Sequence, residues 1–409
     1  MATPLDMNQI RAQFPGLSRQ YAGKPAVFAD GPAGSQVPVS VAQAITNSLL
    51  HLNANHGGCF ETSIASDALL HRVHMDAATF LGASDPDCIV FGNNMTSLTF
   101  AFSRALARTW QAGDEIILSR CDHDANVTPW VLAAQERNVT IRWIEINPED
   151  CTLNLDSLKE ALSKRTKLVA VGMASNAVGT IHPVRQIADL AHAVGSHVFL
   201  DAVHYAPHQL MDVPLTGADF VVCSAYKFFG PHVGILWGKR EHLERLTPYK
   251  VRPAGNELPD CWMTGTQNHE GIAGVGAAIA YLAAMAENGA NLRERLVSAY
   301  QRIVEHERRL GTRFLDGIGS LKGYRLFGRR NMEGRVATFG ITHERLTAAQ
   351  LSKQLAEEGI FTWAGNFYAL PLTEALGLEP EGMLRIGFLH YNTLDEVDRV
   401  IDALSRIGE

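Results

Sequence analysis

Between residues 87 and 237 short apolar runs alternate with amphipathic stretches, the pattern of a largely parallel sheet covered by helices. The runs span 88–91, 115–118, 140–146, 168–171, 197–200, 220–223 and 234–237, and together they predict a seven-stranded sheet. Several end in polar, Gly-rich or His-containing turns. In an open α/β sheet ligands sit at the carboxyl ends of the strands, so chemistry is expected there.

From 268 to 287 the sequence becomes an Ala- and Gly-rich helix, followed by a charged helical stretch to about 310. The last third predicts a strand at 335–341, a helix at 348–358, a strand at 384–388 and a closing helix. In that helix Leu394, Val397, Val400, Ile401, Leu404 and Ile407 recur at helical spacing, and Thr393 with Glu396 forms a capping box. The expected organisation is a large α/β domain over 20–268 and a smaller α/β domain from 1–19 and 290–409, joined by helix over about 269–310.

With 409 residues and 46% apolar content, the chain can bury a large core. Its 36 Lys and Arg against 43 Asp and Glu give a net charge of −7, which argues against nucleic acid or an anionic membrane as partner. The cysteines Cys59, Cys88, Cys121, Cys151, Cys223 and Cys261 include no CxxC pair, which fits a reducing cytoplasm better than a disulfide framework. The polar N-terminus lacks the order of a signal peptide, and no run is long enough for a membrane helix. A cytoplasmic protein is expected.

Lys227, in CSAYKFFGPHVGILWG, follows directly on an apolar run. Such a lysine alone is most often a snorkelling surface residue. A desolvated lysine, however, has a lowered pKa and can form a Schiff base with a carbonyl. Asp201 ends an earlier run and opens DAVHYAPH, with His204 three residues on; a lone acid there is ordinarily a loop cap. The spaced pair says more than either member. A Schiff-base lysine and a carboxylate at one sheet edge are what pyridoxal 5'-phosphate requires, because the acid keeps the pyridine nitrogen protonated.

A phosphate group needs a helix N-terminus, and FGNNMTSL (91–98) supplies a strand end, a Gly turn and the hydroxyls of Thr96 and Ser97. An ordinary N-cap would read the same way. Neither a GxGxxG fingerprint nor a Walker A sequence occurs. His123 in RCDHDAN could stack on a cofactor ring and Asn176 could donate to its hydroxyl, although both also fit plain loop polarity. His71 and His74 stand at helical spacing, but no carboxylate-His cluster completes a shell, so no metal site is expected.

Taken together these motifs, from DGPAGSQVP (30–38) to RIGFLHYNT (385–393), resemble the class V aminotransferase and cysteine desulfurase group of fold-type I pyridoxal-phosphate enzymes. The resemblance implies the fold-type I transferase fold and a homodimer with shared active sites. By it Lys227 would carry the Schiff base, Asp201 would pair the pyridine nitrogen, His204 would assist near the ring phenolate and His123 would stack on the ring. Asn176 would reach the ring oxygen, while Thr96, Ser97, Ser224 and Tyr226 would hold the phosphate. Thr266 would be lent to the partner's phosphate site, Arg385 would receive the substrate α-carboxylate, and Asn55 in NANHGGCFETS would lie near the substrate.

Desulfurases of this group carry a mobile cysteine before a short apolar-Pro run. Here the stretch is FTWAGNFYALP, with Tyr368 at the cysteine's place and Trp363 where an arginine is often found. A tyrosine cannot accept a persulfide sulfur. The expected activity is therefore a carbon–sulfur lyase acting on a small amino acid through a Schiff base and a Cα carbanion, without that cysteine. Transamination, epimerisation and decarboxylating carbon–carbon bond formation share the same chemistry and stay open, as does sulfur acceptance by Cys59. A non-catalytic cofactor-binding protein is the reading from another class.

Overall fold

The computed structural model describes residues 3–21 and 23–408. Seven strands form the central sheet: β1 (Ile89–Gly92), β2 (Glu115–Ser119), β3 (Thr140–Ile144), β4 (Thr166–Gly172), β5 (His197–Asp201), β6 (Phe220–Ser224) and β7 (Gly234–Gly238). Their order is β1-β7-β6-β5-β4-β2-β3, and all pairings are parallel except those of β7. β2 and β6 are buried at every position, as continuous apolar runs covered on both faces should be. The third run is shorter than expected because Ile146–Asn147 turns away to pair with Thr152–Leu153.

A second, antiparallel sheet comprises β8 (Tyr324–Phe327), β9 (Thr338–His343), β10 (Trp363–Gly365) and β11 (Met383–Gly387), in the order β8-β9-β11-β10. The strand expected from Arg335 begins only at Thr338. Arg335 instead makes a single bridge with Thr180, and the Val336 amide donates to the Gly179 carbonyl at 2.8 Å, so this segment is tied to the loop after β4. β8 and β10 escape the apolar pattern because both are short and partly exposed.

The helices that matter here are α1 (Val39–His51), α2 (Glu61–Leu81), α3 (Met95–Ala107), α4 (His269–Ala284), α5 (Leu292–Ser320), α6 (Ala348–Glu357) and α7 (Leu394–Gly408). The connector read as helix over about 269–310 is two helices. Between them Gly289 takes φ +134°, and the Asn291 side chain caps α5 by accepting from the Glu294 amide at 3.0 Å. In α7 the capping box forms as expected: the Glu396 amide donates to Thr393 Oγ1 at 3.2 Å and the Thr393 amide to Glu396 Oε2 at 3.1 Å. Phe314 of α5 packs on Phe339 of β9, ring centroids 4.5 Å apart, which fastens the long helix to the small sheet.

One close approach fixes the sheet's carboxyl edge. Gly234 opens β7 directly against the N-terminus of α3, where the backbone carbonyl of Asn94 stands where a Cβ would be. Gly234→Val is expected to destabilise the protein by about 1–3 kcal/mol, read as a lower urea midpoint; an unchanged midpoint would refute the close-packing argument.

Candidate active site

A cavity of about 330 Å³ opens at the carboxyl edge of the central sheet, lined by residues that follow β1, β2, β4, β5 and β6. Lys227 lies in the short turn after β6, 8% exposed, and its Nζ donates to the carbonyl oxygens of Pro32 and, at 3.0 Å, Ala33. Burial, with the Arg385 charge nearby, brings its pKa down to about 7 against the opposing pull of Asp201 and Asp30. Asp201 ends β5, which pairs with β6, so the acid and the amine stand on adjacent strands. Its Oδ1 accepts from the Val203 amide at 2.8 Å, and burial raises its pKa to about 6.

His123 leaves β2 and lines the same cavity. Its Nδ1 accepts the Ala125 amide at 3.0 Å, so the neutral ring carries its proton on Nε2; burial, then Lys227 and Arg385, push its pKa down to about 3. His204 and Asn176 also line the cavity, each with a buried polar atom that has no partner: His204 Nδ1 and Asn176 Oδ1. At the far end the first turn of α3 is organised by its cap. Met95 donates its amide to Ser224 Oγ at 2.9 Å and Ser97 donates its amide to Asn94 Oδ1 at 2.8 Å, while Thr96 faces the cavity. Tyr226 stacks on His232, ring centroids 4.9 Å apart, beside Lys227.

Not every expected residue is brought here. Ser97 Oγ is spent on the α3 capping box, so Ser97 does not line the cavity. Arg385 is buried one layer back on β11, donating to the Asn176 carbonyl at 2.9 Å, with its guanidinium 4.3 Å from the Phe367 ring centroid. Asn55 and Thr266 are exposed and outside this chain's cavity. Tyr368 is 71% exposed and lies over His123, ring centroids 5.4 Å apart and planes 25° from parallel.

The Tyr368 loop is strained and pinned. Phe367 and Tyr368 both adopt φ +58°, a conformation that costs roughly 1–3 kcal/mol for such residues. Their carbonyls accept from Asn176 Nδ2 at 2.9 Å and from the Asp124 amide at 2.6 Å, which ties the loop to two sides of the cavity. Of the thiols, Cys59 is exposed and the other five are buried.

Two acids were missed from the sequence. Asp122, beside His123, accepts from the Gly172 amide at 2.9 Å and from Asn126 Nδ2 at 2.7 Å, and burial lifts its pKa to about 7. Asp30 is half-buried near Lys227 and Arg385, with its buried Oδ1 unpartnered and its pKa raised to about 6 by desolvation. Their signal was slight: one is the neighbour of a noticed histidine, the other opens the DGPAGS turn. A third cluster, His197, Asp219 and His242, has donor atoms within 4.8 Å of one another, but at the opposite sheet edge and with the Lys239 ammonium 2.7 Å from Asp219.

A sequence model of the class-V aminotransferases matches residues 27–400. The chain belongs to the class V aminotransferase family. It is 31% identical to an aminotransferase-like protein of Gibberella zeae, over 99% of each chain, and 30% identical to a cysteine desulfurase of Dickeya dadantii, over 99% of this chain and 97% of that one. Its fold superposes on a cysteine desulfurase from Escherichia coli with a TM-score of 0.85 at 26% identity, covering 99% of this chain and 98% of the other. As a class V aminotransferase it is an enzyme that depends on pyridoxal 5'-phosphate. The cavity fits that cofactor: a desolvated amine, a buried carboxylate on the next strand, the unpartnered His204 Nδ1 and a helix N-terminus match its aldehyde, pyridine nitrogen, ring oxygen and phosphate, whereas the Asn176 amide donor is already held by the Phe367 carbonyl.

Because Lys227 titrates near 7, its amine holds a proton below that pH and is free to attack above it. Attachment of pyridoxal 5'-phosphate to cofactor-free protein should therefore speed up about tenfold per pH unit below 7 and level off above it, with borohydride reduction placing the label on Lys227. A rate still climbing at pH 9 would contradict the depressed pKa.

Proposed function

We propose that this class V enzyme cleaves the carbon–sulfur bond of cysteine or a closely related thio amino acid and releases sulfide rather than handing sulfur to a protein thiol. The observation that carries the reading is Tyr368, a phenol stacked on His123 at the cavity mouth, in the stretch where desulfurase-like proteins place their sulfur-accepting cysteine. Two of the relatives above are named cysteine desulfurases, which supports the substrate class.

Bound pyridoxal 5'-phosphate would supply an electron sink for negative charge at the substrate Cα. Lys227 would hold the cofactor aldehyde through Nζ and, displaced by the substrate amine, take the Cα proton; a lysine depressed to about 7 is a competent base at neutral pH. Asp201 would keep the pyridine nitrogen protonated, and the neutral His123 would stack against the ring and guard it from water. Arg385 would exchange the Asn176 carbonyl for the substrate carboxylate. Thr96 and Ser224, with the α3 N-terminus, would bind the phosphate. Loss of the β-sulfur and hydrolysis then leave pyruvate and ammonia.

Cysteine incubated with the cofactor-loaded enzyme is expected to yield sulfide, pyruvate and ammonia in equal amounts. Stoichiometric alanine with protein-bound sulfur would overturn the proposal and point to the exposed Cys59.

The enzyme is further proposed to work as a homodimer. Leu50, Phe60, Ile64 and Val251 are exposed apolar side chains, 69%, 58%, 55% and 59% accessible, and Asn55 and Thr266 are exposed as well. A second copy seated over these side chains would cover them, and the proposal has it receive Asn55 and Thr266 at its own site. Light scattering should give twice the 44.7 kDa chain mass; a fully active monomer would refute shared sites. Among the described residues no helix is long and apolar enough to cross a membrane.

A further inference from the structure

Asp122 lines the cofactor cavity and takes part in no step above. It is buried, and its carboxylate stands beside a second buried acid: Gly172, whose amide donates to Asp122 Oδ1 at 2.9 Å, is the register partner of Asp201. Burial and the nearby Asp201 charge both disfavour the ionised form, so stability alone is a weak reason for an acid here. The strand nevertheless makes room for it. A Cβ on Gly172 would crowd the same Asp122 oxygen at 3.2 Å.

The other carboxylate oxygen closes a turn. Asn126 Nδ2 donates to Asp122 Oδ2 at 2.7 Å, so the two ends of the segment 122–126 are bonded to each other and His123 rides between them. Trp130 Nε1 donates to Asn126 Oδ1 at 3.1 Å. An indole N–H can only donate, which turns the Asn126 amide so that its NH2 faces Asp122. Both Asp122 oxygens therefore meet donors, a demand that a carboxylate satisfies and an amide does not. Asn126 and Trp130 are buried as well, and Trp130, in the helix Thr128–Arg137, packs on Phe199 of β5 with ring centroids 4.9 Å apart. The chain of bonds thus runs from β4 through the His123 turn to a side chain packed on β5.

We propose that Asp122 and Asn126 are positioning residues that clasp the His123 turn and hold its imidazole in place against the cofactor. The hydrogen bond of the imidazole itself, from the Ala125 amide to Nδ1, lies within the same turn and moves with it. A second tie, from the Asp124 amide to the Tyr368 carbonyl, leads only to the exposed loop. The clasp is what fastens the turn to the core, and a stacking side chain works only as well as its supporting bonds hold it. The inference rests on the stacking role given to His123 above and holds whichever substrate bond the enzyme breaks.

The test exchanges the two side chains and reads the visible circular dichroism of the cofactor in the loaded enzyme. Asp122→Asn can satisfy the Gly172 amide with its oxygen but then turns its NH2 against that of Asn126, and Asn126→Asp sets two carboxylates face to face. The double variant Asp122→Asn/Asn126→Asp restores every bond: the oxygen at 122 accepts from Gly172, its NH2 donates to the new carboxylate, and that carboxylate accepts from Trp130. Each single variant should lose most of the signal and the exchanged pair should regain it. Folded single variants with the wild-type signal, while His123→Ala loses it, overturn the clasp. So does a folded exchanged pair that stays as impaired as the single variants. A wild-type signal in His123→Ala removes the stacking role and the clasp with it. If neither single variant folds, Asn126→Ala, which keeps the Gly172 bond and drops only the clasp, is read by the same signal.

Discussion

Desolvation of Lys227 is the constraint on which the site depends. An amine removed from water loses much of its preference for the charged form, and here two backbone carbonyls and the distant pull of Asp201 and Asp30 offset that only in part. The same burial drives the acids the other way, so Asp201, Asp122 and Asp30 all have raised pKa values. The cavity thus disfavours the charged forms of amine and acids alike. A cofactor offering an aldehyde to the amine and a basic ring nitrogen to an acid would relieve these costs.

The second constraint is that the cavity, lined from the central sheet, is braced by the second sheet. β5 and β6 deliver Asp201 and Lys227, but Thr338 on β9 holds His204, and Arg385 on β11 bonds the carbonyl of Asn176. Gly179 makes this junction possible: at φ +76° its backbone passes so near the carbonyls of Val336 and Thr338 that a side chain would collide with them. The strained pair Phe367 and Tyr368 closes the junction from outside, its cost offset by hydrogen bonds to the Asn176 and Asp124 loops. Strain anchored on both sides keeps the phenol over His123 instead of leaving it on a free loop.

Much of this was legible in the sequence, for a reason that can be stated. Strands buried on both faces read as continuous apolar runs, so the strands of the central sheet, apart from the half-exposed edge strand β3 that was nonetheless found, were located to within two residues, and so were the turns that carry Asp201, His123 and Lys227 at its carboxyl edge. The capping box of α7 was equally visible, being a local contact of Thr393 with Glu396. What is short in sequence separation, or forced by burial on both sides, is written along the chain.

Tertiary structure decided the rest, because it depends on residues far apart in sequence. The adjacency of Asp201 and Lys227 comes from strand order. Arg385 lies behind Asn176, 209 residues earlier in the chain, and Glu307 meets His208 across 99 residues. The charged stretch reads as helix from its sequence, but only packing shows that Glu307 on the buried side of α5 meets the His208 imidazole. The sequence determined the fold class and the main chemical groups; the tertiary fold determined which of them share one desolvated space, since desolvation is a property of the packed whole.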